Sequence, residues 1–230
     1  MTKRPASSRQ ALISLDAFEQ NIRLLRVDAV DLSYDAFGHG RVNILQAGRD
    51  IGISHFTVST ADEAALITSI EPAVEINVAA IDTLSAVAMY GLDSAQHAGL
   101  KPVMSLNAEV LAVKSIEAGG GVSYGYTWRA PMDGWLGLVA LGYADGFNRA
   151  WGNRVTAHVG HHQFPAVGRV AMDAHSISTG DVRLEAGEFV TYFGHTVNGY
   201  VYAAELATTV GCSPLAVSSN LNSRVVREVI

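Results

Sequence analysis

Close to residue 100 the spacing of apolar residues changes period, and that change restricts the chain to a two-part architecture. Before it, helical and extended signatures alternate. Leu15, Phe18, Ile22 and Leu25 recur at helical spacing behind Ser14, a good capping residue, with Asp16 in the first turn. Residues 27–32 read as a short strand, weakened by Asp28 and Asp31 and followed by Gly38 and Gly40. Val42 and Leu45 suggest a second helix that Gly52 would end. Residues 55–59 read as the next strand. Thr60 and Glu63 have the offset of a capping box, opening a helix through about Ile70. Residues 74–79 are a third strand. This βαβα order predicts parallel pairing with helices packed on the sheet.

After Lys101 the period becomes two. Met104, Leu106, Ala108 and Val110 alternate with Ser105, Asn107 and Glu109, as a half-buried strand requires. Glycine-bounded apolar runs follow at residues 135–141, 155–159, 166–170 and 189–193. One helix is expected over residues 200–210 and a last strand over 224–230. The reading is an N-terminal tail (1–10), an α/β part (11–99) and a β-rich domain (100–230).

Composition narrows the function classes. With 230 residues, 49% of them hydrophobic, the chain can bury one or two cores. A net charge of -6 without basic blocks argues against a nucleic-acid partner. Cys212 is the only cysteine, so no internal disulfide forms, which fits a reducing compartment. No apolar run approaches the roughly 18 residues of a membrane span, and the polar first ten residues lack a signal-peptide core. A cytoplasmic protein is expected. His161 and His162 are adjacent, so on a strand they point to opposite faces, and neither Asp145 nor the other histidines have metal-ligand spacing. No metal site is expected.

Five segments carry a resemblance. Gly142-Tyr143-Ala144-Asp145-Gly146, with Arg149 soon after, resembles the alanine racemase signature around that family's second catalytic residue. Val167-Gly168-Arg169-Val170-Ala171-Met172-Asp173 resembles the segment whose Met-Asp pair lies beside the substrate carboxylate. Pro102-Val103-Met104-Ser105-Leu106 and Val122-Ser123-Tyr124-Gly125 resemble the entry to the family's C-terminal β-domain. Residues 30–40 resemble its first barrel strand, which ends Lys-Ala-Asp-Ala-Tyr-Gly-His-Gly in the family. Their order along the chain, more than any one of them, identifies it as a member of the alanine racemase family.

The resemblance implies an eight-stranded barrel bearing pyridoxal phosphate, a β-domain, and a dimer in which the tyrosine of one chain faces the lysine of the other. It also shows departures. Residues 86–92 resemble the last barrel strand, yet they follow the third strand almost directly. A whole barrel typically needs about 200 residues or more, so an incomplete (β/α)8-type barrel is expected ahead of the β-domain. The Schiff-base lysine position holds Ser33, and a hydroxyl forms no imine, so covalent attachment of the cofactor is not expected. The chain's lysines are Lys3, Lys101 and Lys114, none placed to substitute. The phosphate-contacting tyrosine is Phe37, the pyridine-contacting arginine aligns with Leu84, and a later phosphate-binding tyrosine aligns with Cys212. Ala86 and Val87 retain backbone N–H groups for a phosphate, Tyr143 stands at the catalytic tyrosine, and Met172 at the substrate side.

Each residue also has a plain reading. Ser33 suits a strand end, Tyr143 a packed β-domain aromatic, and His39 a helix start. Three functions stay open. One is a racemase acting on a small amino acid, alanine by resemblance, in D-alanine biosynthesis. Another is a non-catalytic homologue that pairs through its β-domain as a homodimer or with a related subunit, lending Tyr143 to a partner. The last is a deletion remnant. The sequence favours the latter two over a self-sufficient enzyme.

Overall fold

The computed structural model describes residues 7–93, 95 and 98–230, so the beginning of the expected tail, with Lys3, lies outside the described residues. The chain opens with strand β1 (Arg9–Ile13) and helix α1 (Leu15–Leu25). Ser14 caps α1 as expected, its Oγ accepting from the Ala17 N–H at 3.2 Å. Phe18 and Ile22 on one face are buried. Strand β2 (Ala29–Asp31) leads into a turn at Ser33–Phe37, then come α2 (Arg41–Asp50), β3 (His55–Val58), α3 (Ala61–Ile70), β4 (Ile76–Val78) and α4 (Thr83–Met89). Strands β2, β3 and β4 form a parallel three-stranded sheet in that order, so the βαβα reading holds and the barrel is incomplete.

The segment at residues 86–92 differs from the expectation. It is mostly helix, because Asp82 nucleates a turn there. Its Oδ1 accepts from the N–H groups of Leu84 and Ser85 at 3.1 and 3.3 Å. Its carbonyl accepts from Ala86 N–H at 2.9 Å. Ala86 through Met89 are buried, and Asn21 ties this helix to α1: its Nδ2 donates to the carbonyls of Met89 (3.1 Å) and Lys101 (2.8 Å).

The second part comprises β5 (Met104–Ile116), a two-strand flap of β6 (Gly121–Val122) and β7 (Trp128–Arg129), then β8 (Gly134–Val139), β9 (Thr156–Val159), β10 (His162–Val167), β11 (His175–Gly180), β12 (Phe189–Thr196) and β13 (Gly199–Val201). Helices α5 (Ala203–Val210) and α6 (Pro214–Ser219) and strand β14 (Val226–Val229) complete it. The sheet order is β13-β12-β9-β10-β11-β8-β5-β1-β14, with β12 also bonded to β5. Strands β5, β8, β11, β10, β9 and β12 therefore close on themselves, leaving no edge inside the ring. The long β5 makes this possible, pairing with β12 and β1 through its first half and with β8 through its second.

Differences from the sequence reading have local causes. The run expected at 166–170 ends at Val167 because Gly168 sits at φ +76° with its N–H donated to Asn153 Oδ1 at 2.6 Å. Strand β11 (His-Ser-Ile-Ser-Thr-Gly) and the short α6 lack strong apolar periodicity and were not anticipated. Residues 199–201 are strand, and the expected helix begins only at Ala203.

Candidate functional site

The residues singled out by the sequence fall into two places. The first is the end of β2. Tyr34, Asp35, Ala36 and Phe37 have φ of 52, 59, 54 and 51°, a left-handed turn of four consecutive non-glycine residues. Each such residue costs about 1–2 kcal/mol, so neighbours must impose it. Glu63, at the start of α3, accepts from Tyr34 N–H at 2.6 Å. Asp35 accepts from Arg41 N–H at 2.9 Å. Gly38, at φ +83°, passes so close to the Ser218 carbonyl of α6 that no side chain fits.

At the head of this turn Ser33 is fully buried, and its Oγ donates to Asp31 Oδ1 at 2.5 Å while its own N–H donates to the same oxygen at 2.9 Å. Burial pushes the Asp31 carboxyl up, and the Ser33 hydrogen bonds oppose that shift. The Tyr90 hydroxyl donates to the Asp31 carbonyl at 2.6 Å, and the Tyr90 ring packs on Phe37 (5.5 Å) and His39 (4.6 Å). His39 Nδ1 lies 2.8 Å from the Ala36 carbonyl. Burial pushes its imidazole down to about 4, with nearby Arg227 adding to the effect. His39 Nε2 is buried without a hydrogen-bond partner among the described residues. Ser33, Phe37 and His39 are thus brought together, but as a packed cluster. Ala86 and Val87 lie within α4, with Ala86 N–H already donated, and Leu84 is 65% exposed. Of the described lysines, Lys101 precedes β5 and Lys114 lies on its exposed half.

The second place is on the β-domain surface. Tyr143–Asp145 form a 3-10 turn whose backbone is clamped to the Met-Asp segment: Tyr143 N–H donates to Ala171 O at 3.0 Å and Ala144 N–H to Met172 O at 2.9 Å. Asp145, fully buried, locks the turn. It accepts from Gly142 N–H at 2.8 Å and lies 2.9 Å from Arg9 Nε and 3.1 Å from Arg224 Nε. Arg224 also reaches Asp173 at 2.6 Å. So braced, Tyr143 stays 39% exposed beside Met172 at 53%, with the Arg149 guanidinium 5.8 Å from its ring centre. Two motifs far apart in sequence are thereby joined, while Ser33 remains inside the other part of the molecule. Sequence reasoning missed the bracing role of Asp145 and Arg9. The available signal was an acid enclosed between glycines with no metal spacing to explain it.

Beneath this surface His175 is buried, its Nε2 accepting from the Tyr192 hydroxyl at 2.5 Å and its Nδ1 2.6 Å from Leu141 O. Burial pushes this imidazole too down to about 4. No group of three or more potential metal ligands occurs among the described residues, and no described helix is long and apolar enough to cross a membrane.

The comparisons fit this division. Residues 103–229 match the family model "Alanine racemase, C-terminal domain". The alanine racemase of Corynebacterium efficiens is 40% identical over 147 residues, 62% of this chain and 39% of that protein. That of Mycobacterium bovis is 37% identical over 146 residues, 61% of this chain and 38% of that protein. The chain thus spans less than half the length of these curated relatives. Among solved structures, alanine racemase from Streptomyces coelicolor superposes with a TM-score of 0.85 at 20% identity, over 97% of this chain and 98% of that one. The Bartonella henselae alanine racemase with covalently bound pyridoxal phosphate gives 0.84 at 18% identity, over 98% and 100%. The fold likeness therefore extends beyond the part where sequence likeness is found, and with the domain match covering more than half its residues, the chain belongs to the alanine racemase family.

Proposed function

We propose that the chain is an alanine racemase homologue that does not interconvert L- and D-alanine by itself. One observation carries this reading. The family resemblance assigns the Schiff-base lysine to the position of Ser33, and the Ser33 hydroxyl is buried and donated to Asp31 at 2.5 Å. The surroundings do not fit covalently held pyridoxal phosphate. Phe37 offers no hydroxyl and is packed on Tyr90. The Ala86 N–H is already donated to Asp82 O, Val87 is only 6% exposed inside α4, and Leu84 points no cation at a ring nitrogen.

A second role is favoured by the other place. Tyr143 is braced from behind by Asp145 yet open at its front with Met172 and Arg149. That arrangement suits a tyrosine presented to another subunit, either a second copy or a related chain holding its own lysine and cofactor. The test has two arms. The purified chain should give no racemisation of L-alanine, and Ser33→Lys alone should restore none, because several supporting groups differ. Co-expression with a full-length racemase whose tyrosine has been replaced should restore turnover, and lose it again with Tyr143→Phe here. Racemisation by the chain alone refutes the first role; unrestored turnover refutes the second.

A further inference from the structure

Parallel sheets are almost always covered on both faces and read as buried strands, yet β4 is not. It is the last strand of its sheet, and Asn77, Val78, Ala79 and Ala80 are all exposed, Val78 by 54%. Ala79 N–H donates to Val58 O at 2.9 Å on the β3 side. Backbone groups alternate along a strand, so Ile76 and Val78 turn theirs to the open side. The neighbouring helix α3 is apolar but buries only Ile67, leaving Leu66 51% and Ile70 48% exposed. An unpaired edge beside an apolar face is the geometry of strand addition.

Charge selects the occupant. Between Arg49 and Lys101 there is no lysine or arginine, whereas there are seven acids. Glu63 and Glu71 are paired with Arg41 and Arg49, leaving Asp50, Asp62, Glu75, Asp82 and Asp93 to set the charge. Two of these, Glu75 and Asp82, flank the open strand. A second copy would bring the same acidic field against itself, which disfavours encounter, while a basic segment is drawn in. We propose that the β4 edge is a docking site for an extended apolar segment of another protein, flanked by lysine or arginine, which adds a fourth strand beside Val78. The proposal is independent of whether the chain takes part in racemisation.

The full chain is titrated with two dye-labelled ten-residue peptides sharing a valine- and threonine-rich centre, one with lysines and one with glutamates at both ends. The lysine-flanked peptide should bind at least tenfold more tightly, weaken as salt rises, and slow hydrogen exchange at the amides of Ile76 and Val78. Val78→Lys should lower its affinity at least tenfold. The double change Glu75→Lys with Asp82→Lys should shift preference towards the glutamate-flanked peptide, a gain that misfolding cannot produce. Absence of binding, equal binding of both peptides, or concentration-dependent self-association abolished by Val78→Lys would overturn the proposal, the last by showing a second copy on the edge.

Discussion

The β-domain and the α/β part meet the same physical demands differently. In the β-domain six strands close into a ring; His175 has both ring nitrogens engaged, and Asp145 is held between two arginines, its buried Oδ1 meeting Arg224 as an ion pair without a hydrogen bond. In the α/β part three strands leave two edges, a four-residue turn is held left-handed, and the buried His39 Nε2 goes without a partner. Closure removes the need for cover, whereas an open parallel sheet exposes apolar surface and depends on contacts borrowed from elsewhere. Here they come from Ser218 against Gly38, and from Arg227, whose Nε donates to the Gly38 carbonyl at 3.0 Å. The part whose site residues we propose to depart from the family's is also the part whose order depends on its neighbour.

That contrast can be broken most forcefully at Asp145. Asp145→Ala leaves Arg9 and Arg224 facing an empty pocket and frees the Tyr143 turn. Removing one partner of a buried pair costs about 3–5 kcal/mol, and the partial exposure of Arg224 favours the lower end. Denaturant unfolding should show the loss. An unchanged midpoint would mean that the β-domain does not rest on this cluster.

Acid tests both parts together. His39 and His175 are pushed down to about 4 from an ordinary value near 6.5. Between those values the unfolded chain takes up protons that the folded chain refuses. Stability is therefore whole above about pH 6.5 and falls as pH drops towards 4, by an amount on the order of 3 kcal/mol per histidine at most. Urea midpoints across this range should fall. His175→Gln should flatten the β-domain's share and His39→Gln the share of the α/β part; a flat profile in the parent chain contradicts the burial of both.

The smallest effect concerns the strained turn. Tyr34 is 56% exposed at φ 52°, so Tyr34→Gly gives up little packing and relieves a left-handed residue. A gain of about 0.5–1 kcal/mol is expected after the extra unfolded-state freedom of glycine is counted. A loss of stability would show that the ring, not the backbone, governs this turn.

Much of this was legible in the sequence, because local chemistry decided it. Ser14 capping α1, Thr60 capping α3, and the period-two run from Met104 to Val110 carry their own instructions. The family motifs were legible too, and Gly142–Gly146 meets the Met172 segment in the fold. What the sequence hid was set by distant partners. Residues 86–89 became helix through the cap at Asp82 and the hydrogen bonds from Asn21. The left-handed turn depends on Glu63 and Ser218, and the bracing of Asp145 depends on Arg9, 136 positions away in the chain. None of these leaves a periodic trace.

We infer from the family resemblance that no amine stands where the family holds its cofactor. It is tested most directly by mixing the purified chain with pyridoxal phosphate, reducing with borohydride and measuring the intact mass with peptide mapping. No stoichiometric pyridoxyl adduct should form at any single lysine. A one-to-one adduct mapped to Lys3, Lys101 or Lys114, and lost when that lysine alone is replaced, would contradict it.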